Sequence, residues 1–275
     1  MKKTVHHFVA RARDGLWPLK ARPQACELWL QIGARFQPDL LAGILMPNHL
    51  HLAIITAKPA RVRADLGVLL RSFTRRHFPG RSVWSPQPTE RSEVGTKPQK
   101  IARVIRYIHL NPCRARLTDN PWLWEFSTIR DHSKHSLSPW IRDEQIEKWL
   151  GQSAQTWQSQ HESYVQLDSH VKPDALNSLL STRGFESITR RELEKAITLQ
   201  LHCTDETLHK RGPERDLLAR AILTQSECLS PLNHLSRELG ISRGRLGLLQ
   251  RDPLNERTKR LLAMSVALIT GSQRG

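Results

Sequence analysis

The stretch Met46-Pro47-Asn48-His49-Leu50-His51-Leu52 runs directly into Ala53-Ile54-Ile55. Read as a strand, it sets His49 and His51 on one face, because side chains alternate with a period of two. Two neutral imidazoles on one face can hold one divalent metal ion. In a chain with 13 histidines such a pair alone carries little weight. A second stretch raises it: Lys100-Ile101-Ala102-Arg103-Val104-Ile105-Arg106-Tyr107-Ile108-His109-Leu110-Asn111-Pro112. Ile101, Val104, Ile105 and Ile108 make an apolar helical stripe, and Lys100, Arg103, Tyr107 and Asn111 fall on an adjoining polar one. A tyrosine between two basic residues and an amide suits a phosphate. A phenol, with a free pKa of about 10, is a poor nucleophile unless the phosphate is polarised and cations favour phenolate. A metal on His49 and His51 would polarise it, and Asn111, one turn beyond Tyr107, can complete the coordination. Pro112 disfavours helical geometry at Asn111, so the helix is expected to end there.

These residues need elements to hold them. Val5 to Arg11 is β-prone, with a turn at Asp14-Gly15. From Pro23 to Phe36, helical spacing joins Ala25, Leu28, Trp29, Ile32 and Phe36, with Pro23 in the first turn. Leu40 to Met46 reads as a buried strand and His49 to Thr56 as its antiparallel partner across Pro47-Asn48. A second helix spans Arg61 to His77, with Leu66, Leu69, Leu70 and Phe73 inward and Arg71, Arg75 and Arg76 outward. This order predicts an α+β layer, an antiparallel sheet with helices on one face. Residues 79–99 hold four prolines and read as a long loop over the sheet. Trp84, within that loop, is a candidate for stacking on an unpaired base or for ordinary packing.

Charge narrows the partner. Lys+Arg 42 against Asp+Glu 26 gives a net charge of +16 over 275 residues. Residues 1–140 carry 23 basic and 9 acidic side chains, a net +14, whereas residues 141–275 carry 19 and 17, a net +2. A basic field of this kind suits nucleic acid, and it belongs to the first half. An anionic membrane is the competing partner, but no long basic amphipathic helix stands out. Cys26, Cys113, Cys203 and Cys228 are far apart and read as reduced thiols. The first residues lack the apolar run of a signal peptide, and no apolar segment approaches a membrane span. The expected location is cytoplasmic.

In the second half, Trp122, Trp124 and Phe126 are expected to close the first core. Residues 131–173 read as a connector with one or two helices. Helical signals follow at Asp174 to Leu180, Thr189 to Leu201, Pro213 to Thr224, Pro231 to Leu239 and Ser242 to Arg251. Residues 231–251 fit a helix-turn-helix turning at Gly240, its second helix offering Ser242, Arg243, Arg245 and Gln250 to a major groove. An ordinary helical pair in a bundle is the alternative, and Gly244 and Gly247 weaken the second helix by about 1 kcal/mol each relative to alanine.

MPNHLHL at 46–52 and RYIHLNPCRARL at 106–117, in this order, resemble the REP-associated tyrosine transposases, a prokaryotic branch of the single-tyrosine HUH transposases. The similarity spans residues 1–130. It implies a ferredoxin-like antiparallel sheet, a Mg²⁺ or Mn²⁺ ion, and single-stranded or hairpin DNA as substrate. His49 and His51 match the metal-binding pair, Asn111 a further ligand, and Tyr107 the nucleophile that leaves a 5′-phosphotyrosine and a free 3′-OH. Lys100, Arg103, Arg71, Arg75, Arg76 and Trp84 are then DNA-binding candidates, joined by Arg243, Arg245 and Gln250. The chain departs from the pattern at Cys113 and Arg116, where the family usually has valine and glycine, and in the proline-rich 79–99 segment. Residues 174–270 are weakly similar in helical layout to the C-terminal DNA-binding domain of the chromosomal replication initiator, making an all-α second domain over 174–275.

The implied activity is metal-dependent cleavage and rejoining of single-stranded, hairpin-forming DNA by a monomer or homodimer. A DNA-binding regulator that keeps the fold without cutting is the alternative. Joint retention of His49, His51, Tyr107 and Asn111 favours the enzyme. A His-x-His metallohydrolase is disfavoured by the scarcity of further ligands in motif spacing.

Overall fold

The computed structural model describes residues 2–13, 15–85, 90–169, 185, 188–201, 203, 205–225 and 232–271. They divide between two compact units, one of residues 1–135 with 139–171 and one of residues 136–138 with 172–275. The first unit opens with β1 (Thr4–Arg11), α1 (Arg22–Phe36), β2 (Leu40–Met46), β3 (His49–Thr56), α2 (Pro59–His77), β4 (Glu90–Gly95) and α3 (Pro98–His109). The strands form one antiparallel sheet in the order β2-β3-β1-β4.

β2 is buried along its whole length, and β3 is buried after His49, as near-continuous apolar runs require when both faces are covered. Cross-strand partners share a face, so Val9, Ile44 and His51 lie on one side and Phe8, Gly43 and Leu52 on the other. α1 covers the second side. A Cβ on Gly43 would meet the Trp29 ring at 3.4 Å, so the missing side chain leaves room for the indole. α2 joins α1 in this layer through the ion pairs Arg35–Asp65 and Arg76–Glu27. α3 takes the first side, with Ile101, Ile105 and Ile108 fully buried at about 2 kcal/mol each. The helices therefore cover both faces, where element order alone suggested one.

Two further expectations change. Residues 79–99 are not all loop, because β4 pairs with β1 from Val5 to Val9. Its sequence, ERSEVG, lacks alternating apolar residues, since an edge strand is held mainly through its backbone. Residues 131–173 are not a mere connector either. The chain continues through α4 (Asn111–Arg114), α5 (Ile129–His132), α6 (Asp143–Leu150) and α7 (Ala154–Ser169). Ile141, Ile146, Leu150 and Trp157 belong to the core of the first unit. Trp140 stacks on Trp29 at 4.7 Å, and a Cβ on Gly33 would fall 2.3 Å from it. Short amphipathic helices show that a face is buried but not which core receives it.

The outer edge of β2 is sealed by the aromatic segment. Leu45 N donates to Phe126 O, Thr128 N donates to Gly43 O, and Trp124 Nε1 donates to Leu45 O. Backbone groups that an open edge would leave unpaired are thus satisfied. Trp122 is buried and donates from Nε1 to Ser133 Oγ.

The second unit is helical: α8 (Arg190–Leu201), α9 (Asp205–His209), α10 (Pro213–Gln225), α11 (Leu232–Leu239), α12 (Arg243–Gln250) and α13 (Glu256–Gly271). Leu193, Ile197, Leu218, Leu235, Leu246 and Leu262 form its centre. Gly240, at φ +62°, turns the chain between α11 and α12, and Ser236 Oγ donates to Ile241 O. Ser242 caps α12, its hydroxyl accepting from Arg245 N. The helix expected at 174–180 and the residue Pro231 lie outside the described residues. Among the described residues no helix is long and apolar enough to cross a membrane.

Three histidines are locked behind α3. His109 bonds His161 at 2.9 Å and Thr128 at 3.0 Å, while His132 donates to Leu41 O and accepts from Trp157 Nε1. Burial lowers the pKa of His132 to about 4 and drives His109 and His161 well below the ordinary value, helped by mutual repulsion. The folded pKa is below the unfolded one, so above about pH 6.5 both states are neutral and below it only the unfolded state gains protons. Stability is therefore lost as pH falls, at about 1.4 kcal/mol per pH unit per ring. Thermal melts should show a midpoint that drops already from about pH 6.5, above the carboxylate range. A flat midpoint down to pH of about 5 would mean that these rings accept protons in the folded state.

Candidate active site

Register assembles the site. His49 and His51 project from β3 on the face where β1 sets His7, two residues along that face from the Val9 paired with His51. One ring nitrogen pair, His7 Nε2 and His51 Nδ1, is 2.9 Å apart and shares a hydrogen bond. The two rings stack with centroids 5.1 Å apart, and His49 meets His51 edge-on at 5.0 Å. α3 lays Tyr107 across them, its ring 5.6 Å from that of His51 and 5.9 Å from that of His7. Tyr107 stays 39% exposed while its ring packs edge-on against the histidines.

Asn111 reaches the same point by a bend. α3 ends at His109, and the chain restarts as α4 at Asn111, with Pro112 in the first turn where a missing N–H costs nothing. Asn111 Nδ2 donates to Tyr107 O, so its amide satisfies a carbonyl at the end of α3. The Asn111 side chain also lies beside that of His49. The helical break expected at Pro112 is thus what aims Asn111 at the histidines.

All three imidazoles are neutral at pH 7. Burial lowers His7 to about 4. His49 is lowered to about 4 by burial and then by the charge of Arg11. His51 falls to about 2 by burial, the neighbouring His7 and His49, and Arg11. His49 Nδ1 donates to Asn48 Oδ1 at 2.7 Å, which leaves its Nε2 as a lone pair. His51 Nε2 is buried and has no hydrogen-bond partner among the described residues. Among the described residues no group of three or more His, Cys, Asp or Glu stands where it could hold a metal ion. The convergent set here is two histidines and an asparagine.

A cavity of about 700 Å³ opens over these rings. His7, His51 and Tyr107 line it together with Arg11, Lys100 and Arg103, and Glu93 is on its rim. Arg114 stands over the outer face of Tyr107, 5.3 Å from the ring centroid. The structure therefore brings together His49, His51, Tyr107, Asn111, Lys100 and Arg103, all expected from sequence. His7, Arg11 and Arg114 were not expected. Only the β1–β3 register could reveal the first two; Arg114 follows once the chain bends at Asn111.

Other candidates lie elsewhere. Arg71, Arg75 and Arg76 are exposed on α2, in the helical layer on the far side of the sheet, and Arg76 is paired with Glu27. Trp84 is only 7% exposed, bridged to Ala12 and packed in the core, so it offers no stacking face. In the second unit Arg243 and Gln250 are exposed on α12, while Arg245 is drawn onto Asp216 at 2.6 Å.

No family model matches the chain, and no curated protein matches it. Among solved structures, a REP-associated tyrosine transposase bound to a REP hairpin is similar over 51% of this chain and 85% of that one, at 15% identity and a TM-score of 0.41. This likeness is too distant to establish either the fold or the chemistry.

Proposed function

We propose that the first unit is a metal-dependent, single-tyrosine DNA strand transferase acting on single-stranded or hairpin DNA. The observation that carries the reading is Tyr107, 39% exposed and edge-on to the His51 ring at 5.6 Å, in a cavity lined by Arg11, Lys100 and Arg103. The element order β-α-β-β-α-β with strands arranged 2-3-1-4 supports a ferredoxin-like sheet.

The donor set fits a divalent ion. His51 has a buried Nε2 without a partner, His49 has Nδ1 engaged by Asn48, and Asn111 has Nδ2 engaged by Tyr107 O. What is left over is Nε2 of each histidine and Oδ1 of Asn111, and neutral imidazoles are the form that binds metal. A bound Mg²⁺ or Mn²⁺ would supply Lewis-acid polarisation of a phosphate oxygen. His7 acts as a positioning residue by holding His51 through Nδ1, as partners of ligating histidines commonly do.

The remaining steps belong to the chain's own residues. Arg11, Lys100 and Arg103 neutralise the phosphodiester, and Arg114 adds positive charge beside the Tyr107 ring. Tyr107 Oη attacks phosphorus, forming an O–P bond as the bond to the 3′ oxygen breaks. The phenolic proton is lost to water, and the departing 3′ oxygen takes one up. One phosphodiester is kept for each broken, so the reverse attack by a 3′-OH reseals the strand without an energy source. The turn at Gly240 and the capped α12 support a helix-turn-helix in the second unit that helps choose the DNA, with Arg243 and Gln250 at its surface.

Incubation with labelled hairpin DNA and Mn²⁺ should give a protein–DNA adduct that survives denaturation. Tyr107→Phe and EDTA should each abolish it. An adduct that persists in Tyr107→Phe would sink the nucleophile, and DNA binding without any adduct would favour the non-cutting regulator. His49→Ala and His51→Ala should lower the cleavage rate by on the order of 100-fold or more while sparing most DNA affinity, which the basic residues supply. Cleavage undiminished in the double variant would require a different metal site. His7→Ala should weaken Mn²⁺ binding, read by calorimetry, about 10- to 100-fold, and His7→Gln should recover part of it. Unchanged Mn²⁺ affinity in His7→Ala would remove the positioning role.

A further inference from the structure

α3 has a second polar face. Between α3 and α7 lies a cleft of about 410 Å³, within the range of pockets that take small ligands. Arg103 and Arg106 line it from α3, Gln160 and Tyr164 from α7, with Gln99 and Gln152 at its ends. Among the described residues no aspartate or glutamate lines it. We propose that this cleft is a second nucleic-acid site, taking one nucleotide of the single strand with its phosphate on Arg106 and its base against Tyr164. The inference rests on the reading of Tyr107 as a nucleophile toward a single strand.

Arg106 is the main argument. Its guanidinium lies 3.9 Å over the Tyr164 ring and 5.8 Å from that of Trp157. Ring faces hold the cation, but its Nε is buried with no hydrogen-bond partner among the described residues. A buried donor without an acceptor carries a desolvation cost that an arriving phosphate oxygen would remove. Burial also pushes the Arg106 pKa down, against an opposing contribution from Tyr164.

The rest of the cleft matches a nucleotide. Tyr164 is 37% exposed, and an accessible aromatic ring is what unpaired bases stack on. Gln99, Gln152 and Gln160 carry donors and acceptors on the same group, which suits the mixed edge of a base better than a bare anion. The cleft also adjoins the proposed active site, because Arg103 lines both it and the Tyr107 cavity. Arg103 and Tyr107 are separated along α3 by about 6 Å, so a strand joined to Tyr107 could lay an adjacent phosphate on Arg103 and the following nucleotide in the cleft.

The test uses the full chain carrying Tyr107→Phe, so that binding is read without cleavage, and a fluorescein-labelled mixed-sequence single strand followed by anisotropy over a salt series. Tyr164→Leu should weaken binding about 10-fold through lost stacking. Arg106→Gln should do the same and reduce the slope of log affinity against log salt by about 0.7. In the background with Arg106 and Tyr164 intact, a strand bearing 5-iododeoxyuridine should photo-crosslink to Tyr164, mapped by mass spectrometry, a readout that simple packing of Arg106 between the helices would not give. Crosslinks confined to other residues, or parental affinity and salt slope in both variants, overturn the cleft while leaving the Tyr107 site standing. Failure of the Tyr107→Phe chain to bind any strand would overturn both.

Discussion

Pairing β1 with β3 so that Val9 faces His51 decides which histidines can meet. The side-chain period in a strand is two, so a slip by one residue would send His7 to the layer of α1 and bring His6 to that of α3. In the observed register His7, His49 and His51 share a face and α3 closes over them. Phe8, Leu50 and Leu52 must then fill the opposite layer, where Gly43 and Trp29 fit together. The apolar packing of one face and the polar geometry of the other are therefore a single constraint. Neither can be altered without the other.

The electrostatics of the site follow from that enclosure. Three imidazoles beside Arg11 are kept neutral chiefly because burial disfavours their charged form. Around them the cations stand further out, where solvent reaches Arg11, Lys100 and Arg103. A ligand would meet positive charge at the rim and uncharged nitrogen lone pairs at the floor. That division suits the proposed reading, a phosphate neutralised at the surface above a divalent ion.

How much of this was legible in the sequence depends on range. The hairpin of β2 and β3, the helix carrying Tyr107 and its break before Pro112 are local, and their periods and punctuation showed them. His7 carried no comparable signal, because His6-His7 reads identically in either register until β1 is paired. β4 was missed because ERSEVG is held by backbone pairing, to which composition is blind. Trp84 misled for the opposite reason: its neighbours are polar and proline-rich, yet its own ring packs in the core. Arg71, Arg75 and Arg76 were correctly outward, but a helix face does not say which side of a sheet it will cover.

α3 is the element on which these strands of argument converge. Its apolar stripe seats it, one flank carries Tyr107, and the other carries Arg106. Its C-terminal end is fastened twice, by Asn111 bonding back to Tyr107 O and by His109, fully buried and bonded to Thr128 and His161. Thr128 in turn bonds Gly43 of β2, the strand paired with β3. Tyr107 is thus tied to the sheet through one side-chain relay from the helix that bears it to the strand beside His49 and His51. A tyrosine on a freely rolling helix could face either flank, and the burial of His109 two residues later fixes the roll that aims Tyr107 at the histidines.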